Sequence, residues 1–134
     1  MTVAVKIGWL TIDSKDPKKI GEWWKEALGF DMVFEADDEY AISGKGRLDG
    51  HWNILFYRAP DDKKVKNRLH FDLIPDSDQA AEVARLEAMG ATRADIGQKE
   101  VTWVVMADPD GNEFCILSPR DDLPDSDQSA APAG

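Results

Sequence analysis

The sequence predicts an α+β fold in which two βαβββ modules form one cupped mixed sheet. The order of one strand, one helix and three strands occurs twice along the chain. The two copies share a register, since Trp9 precedes Gly29 by 20 residues and His70 precedes Gly90 by 20 residues. The predicted helices also end in similar letters, ALGF in the first and AMGA in the second. Such a repeat indicates that one supersecondary unit occurs twice, and a cup of this kind can hold a ligand.

The first module opens with apolar residues that alternate over positions 3–12, a pattern typical of a strand. Asp16 is a suitable N-cap and Pro17 suits the first helical position. Gly29 can end the helix because glycine tolerates a positive φ. The apolar face of this helix recurs at helical spacing, with Ile20, Trp23, Trp24 and Ala27. Three further strands are predicted at residues 32–36, 39–43 and 51–58.

The second module restarts with a predicted strand at residues 68–74, after a charged linker. We expect Asp76 or Ser77 to cap the next helix and Gly90 to end it. The letters DPDG at 108–111 favour a hairpin turn, because proline presets φ at the second position and glycine tolerates a positive φ. The remaining predicted strands lie at residues 91–96, 102–107 and 113–118.

The composition narrows the function classes. The chain has 134 residues, 43% of them hydrophobic and 31% charged, which suits one globular domain. Its net charge is −10, so its surface repels phosphate backbones and anionic lipids, and we expect neither nucleic acid nor membrane as a partner. Its single cysteine cannot form an internal disulfide. The first residues contain no long apolar run, and we therefore expect a cytoplasmic protein.

Several motifs together carry a resemblance to a known superfamily. They are the Asp16-Pro17 helix start with its Ala-Leu-Gly end, the strand letters RLHFDL and the final hairpin ADPDGNEFCIL. With the paired βαβββ modules, the chain resembles the vicinal oxygen chelate superfamily, which holds glyoxalase I, extradiol dioxygenases, fosfomycin-resistance enzymes and bleomycin-binding proteins. The glyoxalase-like and bleomycin-resistance-like single-domain members are the most similar. The resemblance implies a small-molecule ligand and a homodimer.

The resemblance also implies where a metal would bind. In the metalloenzymes of the superfamily, ligands come from the first, fourth, fifth and eighth strands, and the matching positions here are Trp9, Leu55 or Tyr57, His70 and Cys115. Only His70 is an ordinary ligand of a divalent metal, since an indole N–H has no lone pair to share. We therefore expect no complete metal site, and a divalent metal only as the less favoured alternative.

His70 and Asp72 are the candidate catalytic residues. They share one face of their strand because side chains alternate, and the apolar Leu69, Phe71 and Leu73 take the other face. His70 can act as a proton acceptor while Asp72 orients its ring. The alternative interpretation is a hydrogen-bonded pair with a purely structural role.

Three roles are open to Cys115. A buried cysteine behaves as a small hydrophobic residue, and we favour this interpretation. Lining of a ligand pocket comes second, and a thiolate nucleophile comes last because His70 is the one cationic group expected nearby. The other histidine, His51, is interpreted as solvent-exposed beside a glycine-rich loop.

The five tryptophans are a high count for this length. We expect Trp23 in the core and Trp24 at an edge or a subunit contact. Trp9, with Trp52 or Trp103, is a candidate for the wall of the cup, where an aromatic ring can stack on a flat or apolar ligand. Ordinary core packing is the alternative for each of them.

Three hypotheses follow for the function. The first, which we favour, is a metal-independent binder of a small apolar or cationic organic molecule, and the acidic surface favours a cation. Its predicted ligand-binding residues are Trp9, Leu55, Tyr57, His70, Trp103 and Cys115. The second is an enzyme of lyase, isomerase or dioxygenase type, either metal-free with His70 as base or metal-dependent through His70. The third is an assembly role as a homodimer.

The predicted domain covers residues 1–119, with modules of about 1–61 and 66–119. Residues 120–134 are acidic and rich in small residues, with one large apolar residue, and cannot bury enough surface to order themselves. We expect them to form a flexible acidic tail.

Overall fold

The computed structural model describes residues 4–47, 50–76 and 78–119. The chain forms two compact units that meet in sequence between Lys64 and Val65. Each unit contains one helix and one four-stranded mixed sheet, so the predicted α+β class with a repeated βαβββ order is confirmed. The predicted acidic tail lies outside the described residues. Within the described part, neither helix has the length and the apolar run that crossing a bilayer requires.

Unit 1 follows the predicted order of elements. These are β1 (Leu10–Ser14), α1 (Pro17–Leu28), β2 (Asp31–Ala36), β3 (Glu39–Lys45) and β4 (His51–Arg58). The sheet order is β1-β4-β3-β2, with β1 parallel to β4 and the other pairs antiparallel. The parallel pair requires a crossover, and α1 supplies it.

Helix α1 begins and ends where the sequence predicts. The Asp16 side chain accepts a hydrogen bond from the Lys19 backbone N–H at 3.2 Å, and Gly29 ends the helix at φ 68°. The buried positions are Pro17, Ile20, Gly21 and Trp24. The prediction for the paired tryptophans is wrong, because Trp24 is 2% exposed and Trp23 is only half-buried. Trp24 lies one helical turn from Ile20 and thus shares its face.

The two faces of the unit 1 sheet differ. Ile42, Ile54 and Phe56 are fully buried on the face covered by α1. Leu55 and Tyr57 alternate with them and therefore lie on the opposite face, where Tyr57 is 42% exposed. We call this second surface the open face of unit 1.

Strand β1 is shorter than predicted. It begins at Leu10, and residues 4–9 form no regular element, with Val5 95% and Ile7 93% exposed. Gly8 interrupts the alternation, and a glycine weakens a strand because it has no side chain to pack and loses the most backbone entropy.

Unit 2 repeats the arrangement with shorter strands. Its elements are β5 (Asp72–Leu73), α2 (Gln79–Ala88), β6 (Thr92–Arg93), β7 (Val104–Ala107) and β8 (Glu113–Ile116), and the sheet order is β5-β8-β7-β6. The cap of α2 is Asp78, whose carboxylate accepts from the Ala81 N–H at 2.7 Å. The prediction of Asp76 or Ser77 is therefore wrong, and Ser77 itself lies outside the described residues.

The β7–β8 hairpin is closed by the predicted turn. Asp108 is 4% exposed, and its Oδ1 accepts from the backbone N–H groups of Asp110 and Asn112, both at 2.9 Å. Gly111 takes φ 91°, a left-handed value that favours glycine. The buried carboxylate thus pairs with two backbone N–H groups of the turn, and this fixes the position of β8 and of Cys115 in it.

Candidate functional site

Three predicted site residues meet in unit 2. His70 Nε2 lies 3.3 Å from Asp72 Oδ1, and one ligand atom each of His70, Asp72 and Cys115 lie within 4.8 Å of one another. They are the only such group of histidine, cysteine and acidic residues found among residues 4–47, 50–76 and 78–119. We call them the His70 cluster.

The backbone explains why these side chains converge. Asp72 pairs with Cys115 in the parallel β5–β8 ladder, so their side chains lie next to each other on one face. The Cys115 N–H donates to the Phe71 carbonyl at 2.9 Å, which fixes this register. His70 precedes Asp72 by two residues and so projects from the same side. The predicted strand at 68–74 is only two residues long, and His70 lies just before it.

The members of the cluster differ in exposure. The side chains of His70 and Asp72 are 36% and 55% exposed, whereas Cys115 is 5% exposed. Phe114 and Ile116 flank Cys115 on the opposite, helix-covered face and are buried, as the alternation predicts. The cluster therefore combines an accessible imidazole, a nearby carboxylate and a buried thiol.

The donor set partly fits a metal ion. A tetrahedral zinc ion with bonds of 2.0 to 2.3 Å needs ligand atoms about 3.3 to 3.8 Å apart. The three donors lie within 4.8 Å, so a small side-chain movement would bring them into range. Nitrogen, carboxylate oxygen and thiolate together suit zinc better than magnesium or calcium. Asp72, which was expected from the sequence only to orient His70, is the third donor.

Two further residues of unit 2, Trp103 and Glu113, differ in exposure and contacts. Trp103 is 37% exposed and lies just before β7. Glu113 Oε1 accepts from the Asn67 N–H at 2.9 Å, and Asn67 Nδ2 donates to Asn112 Oδ1 at 2.9 Å. These bonds hold the segment before β5 against the hairpin, so Glu113 has a structural role.

The remaining predicted ligand contacts lie in unit 1. Trp9 is 46% exposed and precedes β1, so it is not part of the strand. Leu55 pairs with Thr11, and Tyr57 pairs with Asp13, in the parallel β1–β4 ladder. Leu55 is half-buried on the open face.

A second polar cluster was not predicted from the sequence. Ser43 Oγ lies 2.5 Å from His51 Nε2 and donates to Asn53 Oδ1 at 2.9 Å. As predicted, His51 is the first residue of β4 and is exposed, whereas Ser43 is only 9% exposed. The available signal was the period of two between His51 and Asn53, but their meeting with Ser43 depends on the β3–β4 register.

The pKa values of Lys18 and Tyr40, which belong to neither cluster, are shifted. The hydrogen bond and charge of Glu35, 3.1 Å away, raise the pKa of Lys18. Burial beneath α1 raises the pKa of Tyr40, since its ring is 2% exposed. Both groups therefore stay in their ordinary protonation state at neutral pH.

Comparison with known proteins identifies the family. A family model described as a glyoxalase-like domain matches residues 9–117. No curated protein matches the chain. Solved structures that resemble it include the fosfomycin resistance protein FosX from Listeria monocytogenes, 15% identical with TM-score 0.64, covering 90% of this chain and 100% of that one.

Two further structures agree in fold. FosX from Mesorhizobium loti is 12% identical with TM-score 0.61, and covers 86% of this chain and 92% of its own. A glyoxalase/bleomycin resistance protein/dioxygenase family enzyme from Burkholderia phytofirmans PsJN is 16% identical with TM-score 0.60. The match covers 81% of this chain and 94% of that one. Identities this low establish the fold alone, whereas the family model covers most of the chain. The chain therefore belongs to the glyoxalase-like domain family, and its fold is that of the vicinal oxygen chelate superfamily.

Proposed function

We propose that the chain binds a small organic molecule, apolar or cationic, without a resident metal, and that His70 is its polar anchor. The observation that carries the proposal is the His70–Asp72 pair, in which a carboxylate oxygen lies 3.3 Å from Nε2 of an accessible imidazole. An imidazole held in this way gives or accepts one hydrogen bond of defined direction. A ligand recognised by such an anchor needs a polar group and an apolar body.

Each unit, taken by itself, has accessible apolar side chains. In unit 2, Trp103 is partly exposed and Cys115 is a small apolar surface beside the anchor. In unit 1, Leu55 and Tyr57 lie on the open face, and Trp9 is 46% exposed. Exposed aromatic rings of this kind offer a large contact area at low entropic cost. The net charge of −10 attracts a cationic molecule at long range.

The same pair favours a lyase or isomerase as the second candidate. His70 would take a proton from the bound molecule, and Asp72 would hold the ring and stabilise the imidazolium. Because His70 Nε2 faces Asp72, the proton would be taken on Nδ1 and kept there until it is returned to the molecule, so such a step needs no further group from the protein. Turnover would separate this candidate from simple binding.

A metal-dependent form of the enzyme would use all three donors of the His70 cluster. His70, Asp72 and Cys115 would hold the ion, which would supply a Lewis acid to a bound oxygen. The positions that the superfamily would use in unit 1 offer no ordinary ligand, since Trp9 and Leu55 cannot coordinate. Three ligands that include one cysteine are fewer than a closed structural site uses, and for this reason the metal-free form is preferred.

Tryptophan fluorescence in EDTA tests the proposal. A panel of apolar and cationic aromatic compounds is titrated into the purified chain, and we expect saturable quenching with a Kd of about 1 μM or tighter for at least one compound. His70→Ala should weaken the binding of that compound by about tenfold or more, because one charge-assisted hydrogen bond is lost. A panel that leaves the fluorescence unchanged would remove the support for this function.

The second histidine provides a matched control. His51→Ala makes the same chemical change in unit 1, and it should leave the affinity of that compound unchanged. Trp103→Phe should reduce the amplitude of the quenching if the ligand lies beside the His70 cluster. Circular dichroism of each variant confirms that the fold is kept.

Zinc analysis separates the metal-dependent form. If purified chain holds stoichiometric zinc that His70→Ala, Asp72→Asn and Cys115→Ala each remove, the metal-free proposal is wrong. Sub-stoichiometric zinc, unaffected by these variants, agrees with it.

We further propose that the chain is a cytoplasmic homodimer. Strand β1 is at the edge of its sheet, and Val5 and Ile7 in the segment before it are almost fully exposed. An exposed strand edge with apolar residues gains stability when it is covered by another chain. Light scattering after size exclusion should give twice the chain mass of 14.9 kDa, and Ile7→Lys should shift it towards the monomer.

A further inference from the structure

The edge of unit 2 has an exposed margin that is both basic and apolar. Strand β5 is the edge strand of its sheet, and the segment before it contains Lys66, Arg68 and Leu69. Leu69 is 80% exposed, and Ile74, just after β5, is 47% exposed. Neither Lys66 nor Arg68 forms an ion pair with another described residue. We call these four residues the β5 margin.

Polar contacts hold this margin in place. Asn67 lies between the two basic residues, and its backbone N–H donates to Glu113 Oε1 at 2.9 Å. Its side-chain Nδ2 donates to Asn112 Oδ1, also at 2.9 Å. The backbone between Lys66 and Arg68 is therefore fixed against the hairpin, while both residues remain exposed. The margin thus places positive charge at a defined position on a chain of net charge −10, and such a position attracts an anionic group.

The chain itself contains a segment of complementary chemistry. The acidic tail, residues 120–134, lies outside the described residues. It contains four aspartates and one arginine, which gives a net side-chain charge of −3, and its only large apolar residue is Leu123. The aspartates are Asp121, Asp122, Asp125 and Asp127. An apolar residue among acidic ones complements a margin in which apolar residues adjoin basic ones.

The acidic tail is long enough to reach the basic residues. Asn67 contacts Asn112, and Pro119 is seven residues beyond Asn112, so at most about 25 Å separate Asn112 from Pro119. Asp127 is eight residues beyond Pro119 and can lie up to about 28 Å from it. A tail that turns back along β5 therefore brings its last aspartate to the basic part of the margin.

The apolar residue of the tail has a nearer contact. The Leu117 N–H donates to the Leu73 carbonyl at 2.9 Å, so the chain leaves β8 beside Ile74. Leu123 is six residues after Leu117 and can cover Ile74 after one turn of the chain. This contact removes apolar surface from water, and the attraction of opposite charges further along the tail adds to it.

We propose that the acidic tail docks on the β5 margin of its own chain. Its aspartates pair with Lys66 and Arg68, and Leu123 packs on Ile74. Because the tail is tethered, its effective concentration at the margin is millimolar, which favours it over the tail of another chain. The contact uses no member of the His70 cluster, so it does not rest on the function proposed above.

A spin label on the tail tests the docking. Ser129→Cys places the label two residues beyond Asp127, and Cys115→Ala removes the other thiol. We expect the amide signals of residues 66–69 to broaden about threefold or more above those of β6, which lies three strand spacings away at the opposite edge of the sheet. Raising NaCl to about 0.5 M should largely remove this difference, because salt screens exposed charges.

Charge variants provide a matched comparison. Lys66→Glu and Arg68→Glu should each reduce the extra broadening by about half or more, since each replaces an attraction by a repulsion. Lys99→Glu makes the same change in the loop after β6, where Lys99 is exposed and forms no ion pair within the described part of the chain, and it should have no effect. Replacing the four tail aspartates by asparagine should remove the extra broadening.

Three results would each overturn the proposal. One is equal broadening at residues 66–69 and in β6. Another is an equal effect of Lys66→Glu and Lys99→Glu. The third comes from a mixture of spin-labelled chain without ¹⁵N and ¹⁵N-labelled chain without the spin label. Broadening at residues 66–69 in that mixture would assign the margin to the tail of another chain.

Discussion

A single methyl group at Gly21 is expected to destabilise the fold. Gly21 is buried in α1 and faces the ring of Tyr40 on β3, which is 2% exposed. A Cβ atom at this position would lie 2.2 Å from Tyr40 Cδ2 and 2.9 Å from Cγ. Both atoms belong to the base of the ring, which cannot turn away without moving β3. The helix and the strand that carries Ser43 are thus in contact through this glycine.

The magnitude follows from two opposing terms. Replacing an exposed helical glycine by alanine stabilises a protein by about 1 kcal/mol. Inserting a methyl group into a packed core costs about 1 to 3 kcal/mol, and the 2.2 Å approach to a rigid ring argues for the upper end. Gly21→Ala should therefore lower the free energy of unfolding by about 2 kcal/mol.

Urea denaturation followed by circular dichroism measures this change. In a Tyr40→Ala background the ring is absent, so Gly21→Ala should there be stabilising by about 1 kcal/mol, which gives a coupling energy of about 3 kcal/mol. If Gly21→Ala stabilises the otherwise unchanged chain, the assigned packing of α1 on β3 is wrong.

Three further changes test local structure by the same denaturation assay. Asp108→Ala should lower the free energy of unfolding by about 2 to 3 kcal/mol, because it removes a buried carboxylate that accepts hydrogen bonds from two backbone N–H groups. An equal loss in Asp110→Ala would contradict this assignment. Gly29→Ala should lower the free energy of unfolding by about 1 kcal/mol, because alanine is strained at a φ of 68°. No atom lies within 4 Å of the new methyl group, so steric overlap adds nothing. An unchanged stability would contradict the left-handed cap. Asp78→Ala should cost about 1 kcal/mol and Asp76→Ala nearly nothing, and the reverse order would restore the predicted cap.

The elements predicted best are those that local chemistry determines. Asp16 and Gly29 mark the ends of α1 because capping depends on neighbouring residues only. The β7–β8 turn is similar, since its proline, aspartates and glycine act within a few residues. The repeat of these local signals was sufficient to predict two βαβββ modules.

The predictions that failed concern which of two adjacent residues faces the core and how far a strand extends. Trp23 and Trp24 both lie within the apolar arc of α1, and only packing on the sheet decides that Trp24 is buried. Strands β1 and β5 are shorter than their alternation suggests, because strand length depends on a neighbour with which to pair.

The candidate site was predicted where it depends on one strand and not where it depends on the pairing of two strands. The shared face of His70 and Asp72 follows from alternation along one strand, and their 3.3 Å contact agrees with it. The proximity of Cys115 depends on the β5–β8 register, and the contacts of Ser43 with His51 and Asn53 depend on the β3–β4 register. Register joins residues that are far apart in sequence, so no local pattern could have revealed either contact.

The central claim is that His70, held by Asp72, anchors an organic ligand without a metal. The most direct measurement is the ¹H–¹³C spectrum of the two imidazoles in EDTA, during titration with the compound that quenches the tryptophan fluorescence most strongly. The account predicts that the His70 resonance shifts with the same saturation curve as the quenching. A His70 resonance that stays unchanged at full quenching, or that shifts only when zinc is added, would contradict it.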